Sequence, residues 1–197
     1  MKIDLTKSIW NETEESKHFI FYSNGKNVSR IEIDKCENKF NEILSTFKLE
    51  NEAFKIKYYF CPNLEIVKAI TGRKSYGDAD LQKKIILSYY AYQPHEIVHH
   101  VIYQNIGFYN NLVIDEGLAV LFGSFDDGEA QWRGKTLSYW KKINKLKYKI
   151  TNQNLIKNFN NIDQKTSYPL SAIYVQNLIN KLGVSKFIEL YRAKKLF

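Results

Sequence analysis

Apolar and polar positions along the chain change period several times, and each change predicts an element. Residues 1–17 are polar and acidic and predict a loose lead-in. The run His18-Phe19-Ile20-Phe21-Tyr22, closed by Ser23-Asn24-Gly25, predicts a strand and a turn. From 28 to 47, Ile31, Cys36, Phe40, Ile43, Leu44 and Phe47 recur at helical spacing, so an amphipathic helix is expected. Residues 54–60 alternate as a strand does. Pro62-Asn63 then opens a short helix over 64–70, ended by Thr71-Gly72, and the Ile-, Leu- and Tyr-rich residues 84–90 predict a third strand. The first half reads β-α-β-α-β.

Helical patterning takes over beyond residue 93. Pro94 stands where the first helical position favours proline, and Gly107 where a helix ends. A second helix is expected over 111–122, stopping at Gly123. Further helices are expected over 129–146, over 168–182 with Gly183 at its end, and over 185–194 capped by Ser185. The asparagine-rich residues 152–161 predict a loop or a short frayed helix. Without repeats or a long linker, residues 1–197 predict one α+β domain. Its lobe 18–107 would hold a small mixed sheet with helices, and its lobe 108–197 would be all helical.

Composition narrows the class. Apolar residues at 44% and aromatics at 15% suffice for a globular core. The net charge of +8 comes from lysines read as scattered, with short clusters at Lys141-Lys142 and Lys194-Lys195. Such a balance serves solubility at least as well as an acidic partner. Cys36 and Cys61 have no CxxC spacing and predict buried free thiols, with a disulfide as the open alternative. No apolar run is long enough for a membrane span. The N-terminus does not resemble a signal peptide, so a cytoplasmic protein is expected if the sequence is complete, and a secreted one if a leader was removed.

The chemistry concentrates in one stretch. His95-Glu96-Ile97-Val98-His99 places two imidazoles four residues apart, on nearly the same face of a helix. Both ring nitrogens can reach one ion at about 2.0–2.1 Å. Glu96, offset by about 100°, can take a proton from a water beside that ion. Downstream, Asp115-Glu116-Gly117-Leu118-Ala119 offers Glu116 as a third ligand. Two histidines and one carboxylate leave the fourth position of Zn²⁺ open, as catalytic sites do. Of four histidines (His18, His95, His99, His100), three fall here. His100 points about 100° away from His99 and is expected near the site or on the surface rather than as a ligand.

His95-Glu96-x-x-His99 followed by an Asp-Glu-Gly-Leu-Ala helix resembles the gluzincin zinc metallopeptidases, the thermolysin-like group. The resemblance, over about residues 18–192, implies a zincin-like fold, one Zn²⁺ per chain on His95, His99 and Glu116, and Glu96 as general base. It implies a peptide or protein substrate held by strand addition along the strand at 84–90, which runs beside the active-site helix. It also implies a tyrosine that stabilises the tetrahedral oxyanion, Tyr168 first and Tyr174 as the alternative. The tail from Tyr168 to the Gly183-Val184-Ser185-Lys186-Phe187 turn is similar to small members of the group. Two departures stand out. The Gly-x-Met-Glu-Asn motif of related aminopeptidases is missing, and the acidic residue four positions after the glutamate ligand is Val120 here. Some other group must orient that zinc histidine, Asp115 being one possibility.

Two other readings come from different classes. A catalytically inactive zincin-fold protein would bind zinc or a peptide without cutting it. A basic nucleic-acid-binding module is suggested by the pI of 9.2 and fourteen tyrosines. No nucleic-acid motif accompanies them, so no nucleic-acid partner is expected.

Overall fold

The computed structural model describes every residue except 1–3, 26, 51–53, 62, 73–74, 124, 127–128 and 197, with backbone alone at 7, 12, 125–126 and 129–130. Pro62 and part of the loop after Gly123 therefore lie outside the described residues. The chain divides into two compact units, residues 1–45 with 49–105 and residues 46–48 with 106–197. Both units mix helices and strands.

The first unit is built on a five-stranded sheet. Its strands are β1 (Asn11–Glu15), β2 (Phe19–Ser23), β3 (Ile56–Phe60), β4 (Gly77–Asp80) and β5 (Ile85–Ser88), in the order β1-β2-β3-β5-β4. The three inner strands run parallel, and β1 and β4 run antiparallel at the two edges. Inner parallel strands are covered on both faces, and all four residues of β5 are buried. Helix α1 (Arg30–Phe47) lays Phe40 edge-on against Phe19, 5.9 Å between centroids. It starts at Arg30 rather than 28 because Ser29 and Glu32 exchange hydrogen bonds in a capping box. On the other face, Val67 and Ile70 of α2 (Leu64–Thr71) pack with Tyr59, Cys61, Ile85 and Leu87. Asn63 caps α2, and Gly72 ends it at φ 77°, a conformation that favours glycine.

Three expectations about this half need correction. The lead-in is not loose: after a 3₁₀ turn at Leu5–Lys7, β1 pairs with β2. The strand β4 was not expected. The strand at 84–90 is internal, with β3 on one side and β4 on the other, so it has no free edge for strand addition.

The second unit holds α4 (Leu112–Gly123), the short strands β6 (Phe125–Asp126), β7 (Glu129–Trp132) and β8 (Lys135–Thr136), then α5 (Leu137–Ile143). A π-helical turn follows at Asn144–Tyr148, then α6 (Asn152–Asn158), a 3₁₀ turn at Phe159–Asn161, α7 (Gln164–Leu182) and α8 (Val184–Arg192). The expectation of an entirely helical C-terminal half is therefore wrong over 129–136. Trp132 pairs with Lys135 across Arg133-Gly134, both at positive φ (53° and 68°), which is the backbone of a tight hairpin. Helix α5 begins only where the Thr136 hydroxyl accepts the Tyr139 N–H. Helix α7 starts four residues before Tyr168, because Asp163 caps it by accepting the Lys165 N–H. Ser185 is not a cap; α8 begins at Val184.

Both cysteines are free and buried, so the thiol reading stands. Burial pushes the Cys61 thiol up to about 12 and Cys36 higher still, which makes both inert.

Candidate metal centre

Helix α3 (Pro94–Ile106) completes the first unit and carries the histidine pair. Ile97, Val98, His100, Val101 and Ile102 are buried. His95, Glu96, His99 and Tyr103 are only half-buried and fall within one arc of about 100° at helical spacing. Tyr103 belongs to this arc one turn beyond His99. It was not singled out from sequence, although the same spacing places it there.

The start of α3 is held by groups from the sheet and from α1. The buried Tyr58 hydroxyl donates to the Tyr90 carbonyl at 2.8 Å, and the Cys36 thiol contacts the Ala91 carbonyl at 3.7 Å. The Tyr90 N–H donates to the Ser88 hydroxyl at 2.9 Å. At the other end, the Gln104 amide donates to the Leu81 carbonyl at 2.8 Å. These ties anchor the segment that leads into α3 and the last turn of the helix.

Nε2 of His95 and Nε2 of His99 stand 3.2 Å apart, with the rings inclined at 82°. Two imidazoles on one tetrahedral ion at about 2.0–2.1 Å have nitrogens about 3.3 Å apart, so the pair already has the spacing of two ligands. That distance also suits an N–H···N hydrogen bond. A third donor is what distinguishes a metal pair, and Glu116 is the residue expected to supply it. Two imidazoles and one carboxylate suit zinc better than calcium or magnesium, which prefer oxygen alone.

His100 takes no part in this set. It is fully buried, and its Nδ1 lies 3.0 Å from the Glu96 carbonyl as donor. Burial lowers its pKa to about 4, so the ring is neutral and binds the helix to itself one turn back. Of the two places expected for it, the surface is excluded.

In the second unit, α4 is buried on nearly every side, and Glu116 is its one half-buried charge. A Cβ on Gly117 would meet the Ser171 carbonyl of α7 at 2.6 Å, so only glycine allows this helix crossing. The helix start is secured by Asn111, whose side chain accepts the Val113 N–H, and by Asp115, which accepts the Asn111 N–H. The other Asp115 oxygen accepts from the Tyr191 hydroxyl at 3.0 Å. Tyr191 in turn receives the Tyr109 N–H at 3.1 Å. Burial and the adjacent Asp115 push the Tyr191 phenol well above its usual range. Asp115 thus ties the start of α4 to α8.

Tyr168 lies on α7 with its ring stacked on Trp132 (5.1 Å, 27°) and near Phe159 (5.8 Å). Tyr174 packs against the same apolar cluster of Val113, Leu155, Phe159 and Leu170, and burial raises its phenol pKa. Val120, in place of an acidic residue, is buried core. Comparison with known proteins finds no match to any family model, to any curated protein or to any solved structure.

Proposed function

We propose that this chain is a zinc-dependent metallopeptidase of zincin-like fold, hydrolysing peptide bonds with Glu96 as general base. The observation that carries the reading is the 3.2 Å Nε2 separation of His95 and His99, with Glu96 on the same arc of α3. His95, His99 and Glu116 would hold the ion. When bound, Zn²⁺ supplies a Lewis acid that lowers the pKa of water toward about 7. Glu96 accepts the proton of the attacking water and passes it to the leaving amine. Tyr168 would donate its phenolic hydrogen to the oxyanion that forms, with Tyr174 as the alternative donor.

Substrate strand addition in this reading falls to the edge strand β4 rather than to the strand at 84–90. The Tyr89 N–H bonds the Tyr76 carbonyl at 2.8 Å, and the antiparallel alternation then turns the backbone of Gly77 and Ala79 outward. The Ala79 N–H is taken by the Asp78 carboxylate at 2.9 Å. Among the described residues the Gly77 amide and the two carbonyls are left to receive an extended peptide.

The test pairs metal analysis by plasma mass spectrometry with a peptide-library cleavage assay. About one zinc per chain, with cleavage by wild type and none by Glu96→Gln at equal zinc content, is expected. A chain that takes up no zinc on reconstitution, or a Glu96→Gln protein that still cleaves, overturns the proposal. Zinc bound without cleavage by wild type would leave the inactive zinc-binding reading in its place.

A further inference from the structure

The positive charge is not scattered. Residues 133–162 contain eight lysines and arginines and no aspartate or glutamate, while the other 21 cations face all 21 carboxylates. The whole formal charge of +8 therefore belongs to thirty residues of the second unit. Lys141, Lys142, Lys145, Lys147 and Lys149 all have exposed side chains, and among the described residues none pairs with a carboxylate.

Large apolar side chains stand among these lysines. Leu146 is 65% exposed, Tyr139 43% and Tyr148 39%. Lys135 and Lys147 lie over the rings of Tyr139 and Tyr148, at 5.6 and 5.4 Å. The inner side of the segment is ordered by its own bonds. Leu137 is buried, the Trp140 indole donates to the Trp132 carbonyl, and the Asn144 side chain both donates to and accepts from the Ile150 backbone at 2.9 Å. Leu146 is therefore displayed by a built turn.

We propose that residues 139–149 dock on an anionic lipid bilayer, with Leu146 entering the acyl boundary, Tyr139 and Tyr148 at headgroup level, and the lysines over the phosphates. Three features favour a bilayer over a nucleic acid. A leucine this exposed gains nothing from phosphates or base edges, whereas an interface buries it. The cations are lysines on long stems that can lie along apolar surface while keeping the charge in the headgroups. Tyrosine is at home where one end of the ring is apolar and the other wet.

The test is co-sedimentation of the full chain with vesicles of phosphatidylcholine, alone or mixed with phosphatidylserine. Binding to the mixed vesicles alone is expected, weakening as added salt shortens the Debye length. Each lysine is expected to contribute about fivefold, so Lys142→Gln/Lys145→Gln/Lys147→Gln/Lys149→Gln should lose at least about a hundredfold. Leu146→Ser should lose about tenfold, with little dependence on salt. Lys194→Gln/Lys195→Gln, exposed charges elsewhere in the same unit, should stay within about twofold of wild type. The docking involves neither zinc nor Glu96, so Glu96→Gln protein should bind vesicles as wild type does. The proposal is overturned if mixed vesicles do not bind the chain at low salt, or if the control pair loses as much as the quadruple variant. It is also overturned if a single-stranded RNA oligonucleotide binds while vesicles do not compete with it.

Discussion

Helices α3 and α4 hold the three candidate ligands under opposite conditions. Helix α3 buries five side chains of its central turns and leaves one arc, His95, Glu96, His99 and Tyr103, half open. Helix α4 buries nearly every residue, including Asp115 and Gly117, and presents Glu116 from a core element. Ligand chemistry on α3 can thus be altered with little cost to packing, whereas substitutions beside Glu116 act on the fold first. The comparison separates what a bound metal would need from what the unit needs.

The largest expected effects test that separation directly. His99→Ala and Glu116→Ala should each weaken zinc binding by more than about a hundredfold, since loss of even an outer-shell partner costs about 10–100-fold. Melting of the metal-free proteins should change little in both variants, as neither side chain is buried. A Glu116→Ala protein that keeps its zinc would break the three-ligand reading while leaving the histidine pair. Next comes Gly117→Ala, which changes no ligand. Its methyl would press on a backbone carbonyl that cannot move without α7. Denaturant titration should show a loss of about 1–3 kcal/mol. Zinc binding should weaken only as far as unfolding competes with it.

Much of the first unit was legible because its elements bury apolar residues in regular patterns. The strands at 19–23, 56–60 and 85–88 and helices α1, α2 and α3 lie within a few residues of expectation, as does α4 in the second unit. The two edge strands were not legible. Asn-Glu-Thr-Glu-Glu and Gly-Asp-Ala-Asp carry no apolar alternation, and their pairing is imposed by β2 and β5. In the second unit the spacing of Trp132, Leu137, Trp140 and Ile143 imitates a helix. Gly134, near the start of that run, was the signal of a turn. The arc of His95, Glu96 and His99 follows from helical spacing alone. The bond between Asp115 and Tyr191 spans 76 positions, and no local pattern announces it.

That bond supplies a smaller effect. Tyr191→Phe removes a donor from a buried carboxylate and an acceptor from the Tyr109 N–H. A loss of about 1–2 kcal/mol is expected by denaturant titration. Zinc affinity should stay within a fewfold of wild type, because the Tyr191 bond reaches Asp115 at the start of α4 and touches no candidate ligand. A large loss of zinc with full stability would reverse that assignment.

The smallest expected effect is a change of slope with pH, and it keeps the two sources of acid sensitivity apart. Glu37 accepts the Ser16 hydroxyl at 2.6 Å, the His18 N–H at 2.7 Å and His18 Nδ1 at 2.6 Å. Burial alone would raise its pKa, but these hydrogen bonds outweigh it and hold the carboxyl below its usual 4.5. A carboxyl depressed in the folded state adds stability above its unfolded pKa and loses it as pH falls through the folded value. The acid limb due to Glu37 thus lies below about pH 4.5, and Glu37→Gln should flatten it while lowering stability on the plateau above. Zinc on His95 and His99 would leave as protons compete with the metal for its ligands, a process set by its affinity and not by Glu37. Urea midpoints measured from about pH 6 to pH 3 on metal-free protein isolate the first process. Zinc content over the same range isolates the second. A Glu37→Gln protein that releases zinc at a different pH from wild type would show the two to be linked, and the separation drawn between fold and metal would fail.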